Sequence, residues 1–170
     1  MTSPGGAMMD CGDLDMRIAA DGSWFYRGSR IHRAPLVKLF ASVLRREADG
    51  SYWLVTPVER GRVTVDDAPF VAVEMAVEGE GRERTIRLRT NLGRWIEVGR
   101  EHPLRVIVSP DGDARIYVEL ERGLKAALAR PVWYDLVELA LADSDTNADG
   151  ICLWAGGVMH DLDALGEVGA

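Results

Sequence analysis

Cysteine, lysine and long apolar runs are all scarce in this 170-residue sequence, and each scarcity removes a class of protein. Cys11 and Cys152 are the only cysteines. Two thiols so far apart make no disulfide framework, and no CxxC or Cys–His spacing points to structural zinc. Both read as small apolar residues. No apolar run approaches the ~18 residues a membrane helix needs. Residues 1–9 hold neither a basic stretch nor an apolar stretch of signal-peptide length, so a cytoplasmic protein without a membrane partner is expected. Lysine occurs only at Lys38 and Lys125, and the net charge is −7. Nucleic acid demands a concentrated basic face. The runs Arg45-Arg46 and Arg82 to Arg89 are too short to supply one, so no nucleic-acid partner is expected. Signatures of catalysis are missing too: there is no GxSxG, HExxH or P-loop, and none of His32, His102 and His160 stands near a serine or cysteine in a nucleophile motif.

What the chain does contain is repetition. Strand-like Asp15 to Ala20, Asp21-Gly22, Trp24-Phe25-Tyr26, an apolar helix opened by Pro35, Asp49-Gly50 and Tyr52 to Val55 follow one another. The same order returns as Leu104 to Ser109, Asp111-Gly112, Arg115 to Val118, a helix around Pro131, Asp149-Gly150 and Ile151 to Trp154. Asp21 to Asp111, Pro35 to Pro131 and Asp49 to Asp149 are separated by 90, 96 and 100 residues. A duplicated supersecondary unit explains that order. Between the copies, Arg62 to Val98 alternates apolar and polar residues, as antiparallel strands wetted on one side do.

The helices are marked by proline and periodicity. Pro35 sets φ at a helix start, and Leu36, Leu39, Phe40, Val43 and Leu44 form one helical face. The stretch Gly123 to Ala142 reads as helical, with Pro131 bending it or dividing it. The expected fold class is α+β: antiparallel sheets with two repeated strand-turn-strand-helix-turn-strand units, one helical element packed on each. Residues 1–9 form a disordered lead and 10–98 the first unit plus central strands. The second unit is 99–160, and 161–170 is a loose tail. The five tryptophans, Trp24, Trp53, Trp95, Trp133 and Trp154, are spread over every element and read mostly as core anchors.

Three constellations bear on chemistry. Asp13 and Asp15 share a strand face if the strand is regular, with Arg17 continuing the row. These two, or Asp66 and Asp67, are the carboxylate pairs an unfamiliar hydrolase would use, though a solvated strand edge explains them more simply. Asp145-Thr146-Asn147-Ala148-Asp149-Gly150 matches the first half of a calcium loop, with oxygens at Asp145, Asn147 and Asp149. The twelfth position, where a bidentate glutamate belongs, is Gly156, so a soluble turn is favoured and no metal or other cofactor is expected. Arg87 and Arg89 alternate on a strand, with Arg82 and Arg84 before it, and suit an acidic peptide or phosphate, but neighbouring acidic residues make a solvated face the plainer reading.

Several stretches together resemble a bacterial family of unknown function, family 1285 of the domains so described. They are Cys11 to Ile18, Leu36 to Glu47, Leu54 to Glu59, Asp67 to Val73, Arg89-Thr90-Asn91, His102 to Val106 and Trp154 to Gly157. The resemblance spans roughly residues 10 to 160. It implies an α+β protein with repeated structural motifs and a part in signal transduction, and it brings no catalytic residues. The function expected is a binding or adaptor protein, more simply not an enzyme, holding a protein or small ligand at the seam between repeat units. Asp15, Arg17, Arg89, His102 and Arg105 are the polar residues within the family-like stretches that periodicity leaves outside the core, and they are the expected ligand-binding set. A small hydrolase built on an Asp/His/Arg cluster is the alternative. A homodimer is the third reading and would show as a large exposed apolar patch.

Overall fold

The computed structural model describes residues 8–144 and 150–167. The chain divides into two compact units, one built from the residues up to Pro69 with Arg122–Leu124, the other from Phe70–Glu121 and from Lys125 onward. In the first unit, β1 (Met9–Ile18), β2 (Trp24–Tyr26) and β3 (Ser29–Arg30) precede α1 (Ala34–Ser42), and β4 (Leu44–Arg46), β5 (Tyr52–Val55) and β6 (Glu59–Val65) follow it. In the second, β7 (Phe70–Glu78), β8 (Thr85–Thr90), β9 (Trp95–Glu97), β10 (Leu104–Val108), β11 (Ala114–Glu119) and β12 (Lys125–Leu128) run without an α-helix between them. Then come α2 (Arg130–Ser144), β13 (Cys152–Ala155) and β14 (Val158–Asp161).

The two large sheets have one plan. The first is ordered β3-β2-β1-β6-β5-β4 and the second, read from its other edge, β9-β8-β7-β12-β11-β10. In each, three strands step outward from the centre and three return from the opposite edge. The first and last strands meet side by side in the middle. These central pairs, β1 with β6 and β7 with β12, are parallel, and every other strand pairing in the two sheets is antiparallel. The sheets are therefore mixed, where alternation alone suggested antiparallel ones. Apolar–polar alternation reports a strand with one wet face and carries no information about the direction of its neighbour.

The repetition expected from the sequence is thus present, with its register set by the sheets. Asp111-Gly112 turns β10 into β11, which corresponds to Asp49-Gly50 between β4 and β5, 62 residues earlier, and not to Asp21-Gly22. The two turns share their bonding. Glu47 N donates to Ser51 O at 2.8 Å and Gly50 N to Glu47 O at 2.9 Å; Ser109 N donates to Asp113 O at 2.8 Å and Gly112 N to Ser109 O at 2.9 Å. The glycines close the loop in the left-handed region, at φ 89° and 84°, as a three-residue hairpin with a glycine bulge requires. The strands from Phe70 to Glu97, grouped by sequence with the first unit, pair instead through β7 and β12 into the second sheet.

Helix boundaries moved for physical reasons. Leu44 belongs to β4, fully buried opposite Leu54, although its spacing also suits the helical face. Lys125–Leu128 is a strand, with Ala126 and Ala127 packed between β11 and β7. Alanine carries little preference that tertiary pairing cannot override. Pro131 sits in the first turn of α2, where its missing N–H has no helical partner to lose. Trp24 and Trp53 are core residues, Trp133 and Trp154 are half-buried, and Trp95 on an edge strand is exposed. Where a loose tail was expected from residue 161, Leu162 is fully buried and 163–167 form a 3-10 turn; Ile151 N donates to Asp163 Oδ1. Of the lead, residues 1–7 lie outside the described residues, as do 168–170 of the tail.

The matched hairpins yield an expectation. A Cβ at Gly112 meets nothing and one at Gly50 meets only the far end of Arg46 at 3.4 Å, so the penalty there is conformational. Gly50→Ala and Gly112→Ala should each lower the unfolding free energy by about 1–2 kcal/mol, measured by urea titration followed by tryptophan fluorescence.

Candidate functional site

The five expected ligand residues fall into separate places. Asp15 and Arg17 lie on β1 in the first unit, but not as a row on a regular strand. The register of β1 against β6 jumps between Asp10 and Asp13 and again between Asp13 and Arg17, and Asp15 itself has φ 55°. The aspartates serve this bulged path: Asp10 Oδ1 accepts from Gly12 N at 2.8 Å and Asp13 Oδ1 from Asp15 N at 2.7 Å. Arg17 clamps Asp66, its Nε lying 3.0 and 2.9 Å from the two carboxylate oxygens. That hydrogen bonding holds the Asp66 carboxyl below the usual carboxylate range, which favours its ionised form.

In the second unit, His102 and Arg105 converge on one residue. His102 Nδ1 is 3.0 Å from the Glu119 carbonyl oxygen, and Arg105 Nε donates to the Glu119 carboxylate at 2.9 Å. Arg89 bonds Glu74 at 2.7 Å on β8. Three strands separate β8 from β10, roughly 19 Å at the usual strand spacing, so Arg89 stands apart from that pair. His160 is buried and bonded at both ring nitrogens, Nδ1 accepting from Leu104 N at 3.4 Å and Nε2 lying 3.2 Å from Ala155 O. Arg84, also buried, is tied to Asp143, with Nη2 to Oδ1 at 2.9 Å. These groups are occupied in holding the unit together. The calcium-like positions Asp145, Asn147 and Asp149 lie outside the described residues. Among the described residues, no three His, Cys, Asp or Glu side chains gather as metal ligands would. No described helix is long and apolar enough to cross a membrane.

A different site emerges inside the first unit. A cavity of about 540 Å³ lies between α1 and one face of the sheet. Leu36 and Phe40 of α1, with Ile31 and Val43 flanking it, form one wall; Leu14 and Met16 of β1, Leu54 of β5 and Gly61 of β6 form the other. Its origin is visible in the sequence pattern. Leu36 and Phe40 are four residues apart on one helical stripe, and Phe40 stacks on the buried Trp24 with ring centroids 6.1 Å apart, which seats the helix over the sheet. Polar groups come from Cys11, Tyr26, Thr56 and Glu59. Leu54 pairs with Gly61, so Glu59, two residues away, lies on the same face. Arg60 also lines the cavity, while its guanidinium lies 3.8 Å from the Trp53 ring centroid and that of Arg62 at 4.9 Å.

Glu59 is exposed at the cavity and makes no ion pair among the described residues. The Cys11 thiol contacts its Oε2 at 3.6 Å. Desolvation first, and then the Glu59 carboxylate, push the Cys11 thiol up, which makes it a poor nucleophile. Neither Glu59 nor the cavity was among the expected site residues. A signal for Glu59 existed in its membership of the family-like stretch Leu54 to Glu59; that it makes no ion pair among the described residues did not show in the sequence.

Comparison with known proteins agrees with this division of the chain. Residues 8–68 match the N-terminal domain, and residues 69–162 the C-terminal domain, of the domain-of-unknown-function family DUF1285. A crystal structure of a DUF1285 family protein from Silicibacter pomeroyi DSS-3 is similar at 38% identity and TM-score 0.84, over 100% of this chain and 94% of that one. Another, from Shewanella baltica OS155, is similar at 32% identity and TM-score 0.57, over 74% of this chain and 91% of that one. No protein with a curated description matches.

The buried His160 makes stability depend on pH. Burial holds its pKa below the ordinary 6.5, so its neutral form is the folded one. This contribution is complete above about pH 6.5 and is lost as pH falls toward the depressed value, because the unfolded chain takes up a proton that the folded chain refuses. Urea unfolding should therefore show stability declining below that pH, before the carboxylates titrate, and His160→Asn should flatten the decline.

Proposed function

The chain belongs to the DUF1285 family, and from that premise, which carries no activity, we propose a non-catalytic binding protein whose first unit holds a small apolar-bodied amine. The observation that carries this reading is the cavity beneath α1, lined by one acidic residue, Glu59, that makes no ion pair among the described residues, while Arg60, which also lines it, lays its guanidinium on the Trp53 ring. Its size and lining suit a small-molecule site, where apolar walls supply affinity and a few polar groups fix orientation. The walls take the ligand body; the Glu59 carboxylate takes a protonated amine, with the Thr56 hydroxyl and Tyr26 beside it. A cation of this kind also suits a chain of net charge −7, which attracts positive ligands at long range.

The protein acts in this reading as a cytoplasmic sensor or adaptor, occupancy of the cavity being the signal handed to a partner. Hydrolysis has less support, since the Asp13 and Asp66 carboxylates and the His102 ring are engaged in a turn, an ion pair and a backbone contact. The site proposed here lies within one unit and replaces the expected seam.

The test uses octylamine and its neutral counterpart octanol, titrated into the full chain by calorimetry. Octylamine should bind more tightly than octanol. Glu59→Gln should lower octylamine affinity by about threefold to tenfold, the range for a partly exposed charge pair, and leave octanol unchanged. Absence of heat with octylamine at millimolar concentration, or equal binding by the Gln variant, would overturn the proposal.

A further inference from the structure

The bulged first strand suggests how the cavity measures its ligand. Two residues in the left-handed region, Gly12 at φ 65° and Asp15 at φ 55°, bracket Leu14. Over the same stretch β1 spends more residues than β6, passing from Asp10 to Asp13 while β6 passes from Arg60 to Arg62, and from Asp13 to Arg17 while β6 passes from Arg62 to Thr64. Bulges of this kind re-aim side chains next to functional sites. Here the re-aimed side chain is Leu14, which lies directly against Gly61: a Cβ on Gly61 would fall inside the Leu14 isobutyl group. Leu14 is only half-buried and lines the cavity, as does Gly61. A leucine laid on a glycine floor at the wall of an apolar cavity, on a path pinned by the Asp10 and Asp13 turns, bounds the space without being locked into the core.

We propose that Leu14, seated on Gly61, sets the length of the apolar body that the cavity accepts. This rests on the reading of the cavity as an amine site. Shortening Leu14 opens the wall and admits a longer chain. Giving Gly61 a side chain displaces Leu14 from its seat and shrinks the space for every ligand.

The experiment compares octylamine and decylamine on the full-length parent, Leu14→Ala, Leu14→Met and Gly61→Ala, with circular dichroism and urea unfolding confirming that each variant folds. Two further methylenes that become buried are worth about tenfold in affinity. The decylamine-to-octylamine affinity ratio should therefore rise about tenfold in Leu14→Ala and stay near the parental value in Leu14→Met, which keeps the volume. A folded Gly61→Ala should bind both amines more weakly. An unchanged ratio in Leu14→Ala overturns the assignment to Leu14 while leaving the amine site standing. Failure of the parent to bind either amine overturns the site and the inference together.

Discussion

In each sheet the first and last strands lie parallel at the centre, and the rest of the architecture answers to that placement. Parallel neighbours cannot be joined by a hairpin and require a crossover from one end of the sheet to the other. Each unit makes the crossing by stepping outward through two antiparallel strands and returning through two more, so both edges are built from short hairpins and only the middle is parallel. In the first central pair Ile18 and Val63 are buried on one face while Arg17, Arg62 and Thr64 are exposed on the other, and in the second Ala72 and Ala126 are buried. The two units differ in where a helix is spent. In the first, α1 lies within the crossover and is carried over the sheet, leaving the cavity beneath it. In the second, the crossover contains no α-helix and α2 follows β12, packing on β7 and β13.

Polar residues of the N-terminal strand show how geometry reassigns chemistry. Asp10 and Asp13 accept backbone N–H groups two residues on, stabilising a chain path that ordinary strand geometry does not allow. Their carboxylates act as turn-formers, and Arg17 with Asp66 ties the end of β1 to the residue after β6. The same bulged path seats Leu14 against Gly61. Residues that look like a catalytic row are thus the scaffold of a cavity wall, and the acidic residue of that cavity, without an ion pair among the described residues, is a glutamate from another strand.

Local chemistry was well expressed in the sequence. Each Asp-Gly that reads as a turn at 21–22, 49–50 and 111–112 is a hairpin, because left-handed glycine preceded by an acceptor side chain is a short-range requirement. Pro35 and Pro131 both sit in first helical turns. The register of the duplication was not expressed, since similar turns recur more often than the topology does, and Asp111-Gly112 has two equally good earlier matches. Helix over 125–128 was read because Ala126 and Ala127 favour helix, a preference that pairing between β11 and β7 overrides. Of the expected site residues, His102 and Arg105 came together on Glu119, whereas Arg89 and the β1 pair were distributed by strand order, which spacing along the chain does not encode.

The sequence by itself determined the kind of protein this is: a chain of short, one-side-wet strands and proline-started helices, poor in lysine and thiols, with the motifs of one bacterial family. Those properties depend on neighbours within a few residues, or on ordered motifs that survive without knowledge of the fold. The tertiary structure decided which strands are parallel, where the duplication has its true register, and that Leu14, Gly61 and Glu59 border one cavity. Such facts depend on pairings between residues some fifty positions apart, and the energy that selects them comes from burial and ladder formation across the whole sheet rather than from any local preference.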